Sequence, residues 1–165
     1  MKKIMFRKKK IANPAKLISW ISRNLDIEMR IVRFYEDNLH LFKDEGSRKK
    51  IRKLVHASLE HSQLFVDAMH RLQGGVKSKI KIPSKIARKN ALFTLANAMR
   101  EERGAEDLYK FQARRINDKE TVDVLLHIAK EEVEHQAIVK DIAADIAKGL
   151  PEKDRKRILK KLYLT

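Results

Sequence analysis

The sequence predicts an all-α four-helix bundle with one long crossover between its second and third helices and a short fifth helix at the C-terminus. Three observations carry that prediction. Apolar residues recur at helical spacing over four long stretches. All three Pro and every Gly but Gly104 fall at the ends of those stretches or between them. Two of the connections are short and one is long, the pattern of a bundle with a single crossover.

The first helix opens at Asn13, an N-cap followed by Pro14 at the first helical position, and is expected to run to about Phe42. Leu17, Ile21, Leu25, Val32, Tyr35 and Leu39 form its apolar stripe. Residues 44–47 turn the chain, with Ser47 as the expected cap. The second helix then runs to Gly74-Gly75 with Ile51, Leu54, Ser58, Phe65, Met69 and Leu72 inward. Residues 76–89 alternate Lys with Ile around Pro83 and read as an extended link. A helix of about 28 residues is ~42 Å long, and about 14 extended residues span up to ~46 Å, so the link can cross the bundle. Asn90 is the expected cap of a third helix, with Leu92, Leu95, Met99, Ala105, Tyr109 and Ile116 inward. Asn117-Asp118 turns into a fourth, with Leu125, Ile128, Val139, Ile142 and Ile146, closed by Gly149 and Pro151. The last segment reads as a short amphipathic helix with Ile158, Leu159 and Leu162 on one side. The expected organisation is a basic tail over 1–13, the bundle over 14–149 with its crossover at 74–89, and a basic segment over 150–165.

The 165 residues suit one core. The formal charge of +16 is concentrated. Residues 1–16 hold seven Lys or Arg and no acid, 76–89 six and no acid, and 151–161 six against two acids, so the rest of the chain is nearly balanced. An acidic partner, nucleic acid or another polyanion, would meet those segments. They lack interleaved aromatics and any groove-reading module. With no cysteine, disulfides, thiolate zinc sites and iron–sulfur clusters are excluded within the chain. No apolar run is long enough to span a membrane, and the basic N-terminus has no apolar signal core. A cytoplasmic protein is expected.

Each apolar stripe is interrupted near its middle by a residue that is costly in a core. Glu28 follows Leu25 by three, Glu102 follows Met99 by three, and His61 precedes Phe65 by four. Glu132 follows Ile128 by four, with His135 one turn further on. A shift of 74 residues superposes Glu28 on Glu102, Tyr35 on Tyr109, Glu60 on Glu134, His61 on His135 and Asp67 on Asp141, as in a duplicated hairpin. The partner of Glu132 is Ser58, so the first half reads Ser-x-x-His where the second reads Glu-x-x-His. Buried carboxylates demand a pair, a proton or a cation. A nitrogen and oxygen donor set favours iron, manganese or zinc over calcium or magnesium. Tyr35 and Tyr109 sit where hydroxyls would orient the carboxylates, donate electrons in redox chemistry, or fill the core. His40, His56, His70 and His127, with Glu60 and Glu134, lie off the stripes and are expected in solvent.

These residues resemble the ferritin-like superfamily, especially rubrerythrin-like di-iron carboxylate proteins, over roughly residues 14–149. That family takes a Glu from each of two helices and a Glu-x-x-His from each of the other two. The resemblance implies metal ligation by Glu28, His61, Glu102, Glu132 and His135, and one or two iron ions reacting with peroxide or oxygen. Glu132 would be the bridge and the histidines terminal ligands. Ser58 departs from the pattern by replacing a bridging carboxylate, and the absent cysteines mean that no rubredoxin domain accompanies it. A separate electron donor and a homo-oligomer, a dimer, are implied. Two other readings stay open on the residues alone: a non-catalytic scaffold that binds polyanions through its basic segments, and a metal-independent helical interaction protein.

Overall fold

A computed structural model describes residues 13–73 and 91–164. Five α-helices follow in order: α1 Pro14–Asn38, α2 Glu45–Gln73, α3 Ala91–Ala113, α4 Lys119–Lys148 and α5 Glu152–Leu164. α1 pairs with α2 and α3 with α4 as two hairpins, which join through α1 against α3 and α2 against α4. The short α5 lies against α4 and α3. The predicted four-helix bundle with a short C-terminal helix is therefore the fold of the chain. The expected link over 74–89 and the Asn90 cap lie outside the described residues, as does most of the basic N-terminal tail.

Helix boundaries follow local chemistry. Asn13 Oδ1 accepts from the backbone of Ala15 and Lys16, with Pro14 just inside, as expected. α1 stops at Asn38 rather than near Phe42. The Asn38 amide donates to the Phe34 carbonyl at 2.7 Å, competing with the main-chain ladder, and a single 3-10 turn, Leu39–Leu41, follows. The cap before α2 is Asp44, not Ser47: its carboxylate accepts from the Ser47 backbone N–H at 2.6 Å. Asp caps as well as Ser and adds a negative charge at the positive end of the helix. α3 ends at Ala113, short of Ile116, where the Gln112 carbonyl accepts from both Arg115 and Ile116. Asp118 caps α4 through the Thr121 N–H at 2.9 Å and is gripped by Arg71, near the end of α2.

The core divides in two. One apolar cluster gathers Ile31, Phe34, Tyr35, Phe42, Ile51, Leu54, Leu95, Met99, Val139 and Ile142. The other gathers Leu17, Ile21, Leu25, Phe65, Met69, Tyr109, Ile116, Leu125 and Ile128. Of the expected inward residues, Leu39, Leu72 and Ile146 are only half-buried, being at helix ends. The end of α2 belongs to the second cluster and the start of α3 to the first, so these two chain ends lie at opposite ends of the bundle. Near the second cluster a buried amide pair, Asn24 with Gln112 at 2.6 and 3.0 Å, fixes the axial register of α1 against α3. Between the clusters lies a polar layer.

Candidate metal centre

The polar layer consists of Glu28 from α1, Ser58 and His61 from α2, Glu102 from α3, and Glu132 and His135 from α4. Each stands where the apolar stripe of its helix turns inward, so burying the stripe necessarily buries the polar residue with it. Glu28, Ser58, Glu102 and Glu132 are wholly buried, His61 and His135 nearly so.

The five ligand-type residues form two groups that share one member. Glu28, His61 and Glu132 converge, and so do Glu102, Glu132 and His135, with the donor atoms of each group within 4.8 Å of one another. Glu132 faces both ways. Its Oε1 lies 3.4 Å from His61 Nδ1, and its Oε2 lies 3.2 Å from His135 Nδ1. Glu28 Oε2 stands 3.5 Å from His61 Nδ1, and Glu102 Oε2 stands 3.4 Å from His135 Nδ1. The two rings stack with centroids 5.4 Å apart. Each group thus has one terminal carboxylate, one imidazole and half of Glu132. Ser58 stands on α2 one turn before His61, buried in the same layer, and brings no carboxylate to it.

Five polar atoms of this layer have no hydrogen-bond partner within the protein: Glu28 Oε2, Ser58 Oγ, His61 Nδ1, Glu102 Oε2 and Glu132 Oε1. Buried polar atoms left unpaired cost about 1–3 kcal/mol each, so their convergence on one volume calls for an occupant. Separations near 3.4 Å are also those between neighbouring ligands each about 2.1 Å from a common ion. The residues therefore fit a metal.

The remaining carboxylate oxygens are held from outside. Tyr35 donates to Glu102 Oε1 at 2.7 Å, and Tyr109 donates to Glu28 Oε1 at 2.6 Å. Burial, and then the neighbouring carboxylate, push both phenols well above their ordinary range, so the hydroxyls stay protonated and donate. Burial opposes charge on His61, but Glu132 and Glu28 outweigh it and raise its pKa to about 11. Glu102 and Glu132 likewise outweigh burial at His135, raising it to about 10. Burial and the adjacent Glu102 push Glu132 up to about 8, while Glu102 itself is lowered against its burial by Glu132 and His135. Without a metal, protons on the imidazoles and on Glu132 balance the layer.

One participant is not on any stripe. Glu131, half-exposed on α4, lies 2.8 Å from His61 Nε2. The only hint in the sequence is its adjacency to Glu132, since its partner comes from another helix. Glu60, Glu134, His40, His56 and His127 are exposed, as expected, whereas His70 is half-buried. No described helix is long and apolar enough to cross a membrane.

Residues 94–165, most of α3 with α4 and α5, match the family model described as Rubrerythrin. That stretch is under half of the chain and includes Glu102, Glu132 and His135. Among solved structures the chain is similar to the bacterioferritin-related protein from Bacteroides fragilis, described as a dodecameric thioferritin. The TM-score is 0.70 at 22% identity, over 82% of this chain and 89% of that one. The fold is ferritin-like. No curated protein matches the chain.

Proposed function

We propose that this protein binds two divalent metal ions, iron first among them, in the layer between its two apolar clusters, and that it oxidises Fe(II) or reduces peroxide or oxygen there. The observation that carries the reading is the set of unpartnered buried donor atoms on Glu28, His61, Glu102 and Glu132, divided into two groups by Glu132. Glu28, His61 and one oxygen of Glu132 would hold one ion. Glu102, His135 and the other oxygen would hold the second. Manganese and zinc suit the same donors. When bound, iron would supply the redox chemistry.

The chain's own residues do the rest. Tyr35 and Tyr109 each occupy one oxygen of a terminal carboxylate, which leaves the other oxygen aimed at the ion. The apolar clusters on either side exclude water, so the charge of the ions and that of the carboxylates interact in a low dielectric. Ser58 puts a small hydroxyl where the family pattern would place a second bridging carboxylate. Lacking cysteine, the chain depends on a separate electron donor for turnover. A cytoplasmic setting and association into a homo-oligomer belong to the same proposal. The likeness to a protein described as dodecameric supports association between copies without setting their number.

The test is anaerobic Fe(II) titration of protein prepared free of metal, with elemental analysis after desalting and colorimetric measurement of Fe(II) consumed on adding peroxide or oxygen. Two ions per chain and rapid loss of Fe(II) are expected. An unloaded protein that leaves Fe(II) unoxidised overturns the reading.

A further inference from the structure

The two imidazoles of the centre are supported unequally. His61 Nδ1 faces Glu28 and Glu132 at 3.5 and 3.4 Å, while its other ring nitrogen, Nε2, lies 2.8 Å from Glu131 Oε2. Glu131 reaches the surface, its side chain 38% exposed, and His127 Nε2 approaches it from outside at 3.6 Å. His135 has nothing comparable. Among the described residues the only carboxylates within ion-pair distance of its ring are Glu102 and Glu132, both on the Nδ1 side.

The sequence explains the difference. Under the 74-residue shift that superposes the hairpins, Glu131-Glu132 falls on Ala57-Ser58. α4 therefore offers α2 an outer carboxylate as well as the shared inner one, and α2 offers α4 neither. An imidazole can give Nδ1 to a cation only when its proton is held on Nε2 and its ring is turned the right way. A carboxylate that accepts Nε2–H does both, and makes the ring a stronger donor.

We infer that Glu131 is a positioning residue for His61, holding Nε2–H outward and Nδ1 inward, and that it makes Glu28, His61 and Glu132 the half of the centre that takes the first ion. The ranking of the halves rests on the metal reading above; the orientation of the ring does not.

The experiment uses the full chain labelled with 15N-histidine, and Zn(II) as the probe. In the metal-free wild type, His61 Nε2–H should appear as a downfield, slowly exchanging ring proton. Glu131→Ala should abolish it, and Glu131→Gln, whose amide oxygen accepts the same bond, should retain it. On adding one equivalent of Zn(II), the His61 ring signals should shift before those of His135. In Glu131→Ala the order should invert, with the His61 half weakened about 10–100-fold and the His135 half unchanged. A ring proton indifferent to Glu131→Ala overturns the positioning role, and a wild type in which His135 responds first overturns the ranking. A wild type that takes up no Zn(II) yet shows the expected ring proton sinks the metal reading and the ranking while upholding the positioning contact.

Discussion

Tyr35 on α1 gives its hydroxyl to Glu102 on α3, 2.7 Å away, so a residue of the first hairpin aims a carboxylate of the second. Tyr109 returns the contact to Glu28 at 2.6 Å. A buried hydrogen bond to a charged group is worth about 1.5–3 kcal/mol. Tyr35→Phe and Tyr109→Phe should each lower metal-free stability by roughly that much, read as a shift of the urea midpoint at constant slope. Each should also weaken the ion on the carboxylate that it frees, and an unmoved midpoint would make these tyrosines core filling only.

Glu132 alone belongs to both groups. Glu132→Gln should remove both ions from the titration, whereas Glu28→Gln should remove one. Because the Glu132 carboxyl is raised to about 8, it is largely protonated at neutral pH, and the amide resembles that form. Metal-free stability should therefore change little at pH 7, a contrast that thermal melts with and without Zn(II) would read directly.

Ser58→Glu adds a carboxylate to the buried layer one turn before His61. Metal affinity should rise and metal-free stability should fall, since another buried charge has no partner until a cation arrives. Calorimetric Zn(II) titration of the variant decides this; unchanged affinity would mean that position 58 lies outside the centre.

Stability without metal should fall as pH rises. The pKa values of His61 and His135 are raised to about 11 and 10, so their stabilisation is complete below the ordinary value of 6.5 and is lost as pH climbs through 10 and 11. Glu132 adds in the same direction, because a carboxyl raised to about 8 loses its favourable proton on the way to that pH. Zn(II) displaces these protons, so the increase in melting temperature on adding it should be larger at pH 8.5 than at pH 6. Equal increments at both values would contradict protonated imidazoles in the metal-free layer.

At the start of α4, Asp118 both caps the helix and receives Arg71. Asp118→Ala should cost about 1 kcal/mol, as for a lost cap. Arg71→Ala, which removes partly exposed ion pairs to Asp118 and Glu120 and a hydrogen bond to the Thr121 hydroxyl, should cost up to ~1 kcal/mol. Denaturant midpoints of the two single variants and the double separate cap from pair.

Much of this was legible in the one-dimensional pattern because a helix repeats every 3.6 residues. Glu28, His61, Glu102 and Glu132 announce themselves as polar residues on apolar stripes, and the structure gathers them into one layer. Asn13 is visible for a local reason, a capping side chain next to the first turn, whereas Asn117-Asp118 reads only as a turn and the Asp118 cap comes from the structure. Contacts made between helices were not legible. Glu131 sits about 100° round α4 from Glu132, facing away from the stripe, and only the placement of α2 brings His61 to it. The Asn24–Gln112 pair is hidden likewise, its members 88 residues apart. At the end of α1 the Asn38 amide competed with the main-chain ladder for the Phe34 carbonyl, and at the start of α2 Asp44 and Ser47 were both possible caps and the backbone geometry chose Asp44.

The inequality of the two halves is confined to two consecutive positions on one helix. Ala57 and Ser58 stand where the duplicate carries Glu131 and Glu132, and nearly everything else that lines the layer has its counterpart. A balanced, twofold centre and the lopsided one found here are therefore near neighbours in sequence space, two substitutions apart. Each of those substitutions alters a different property: one the number of bridges, the other the steadiness of a ring. The scaffold can be walked between these states one step at a time.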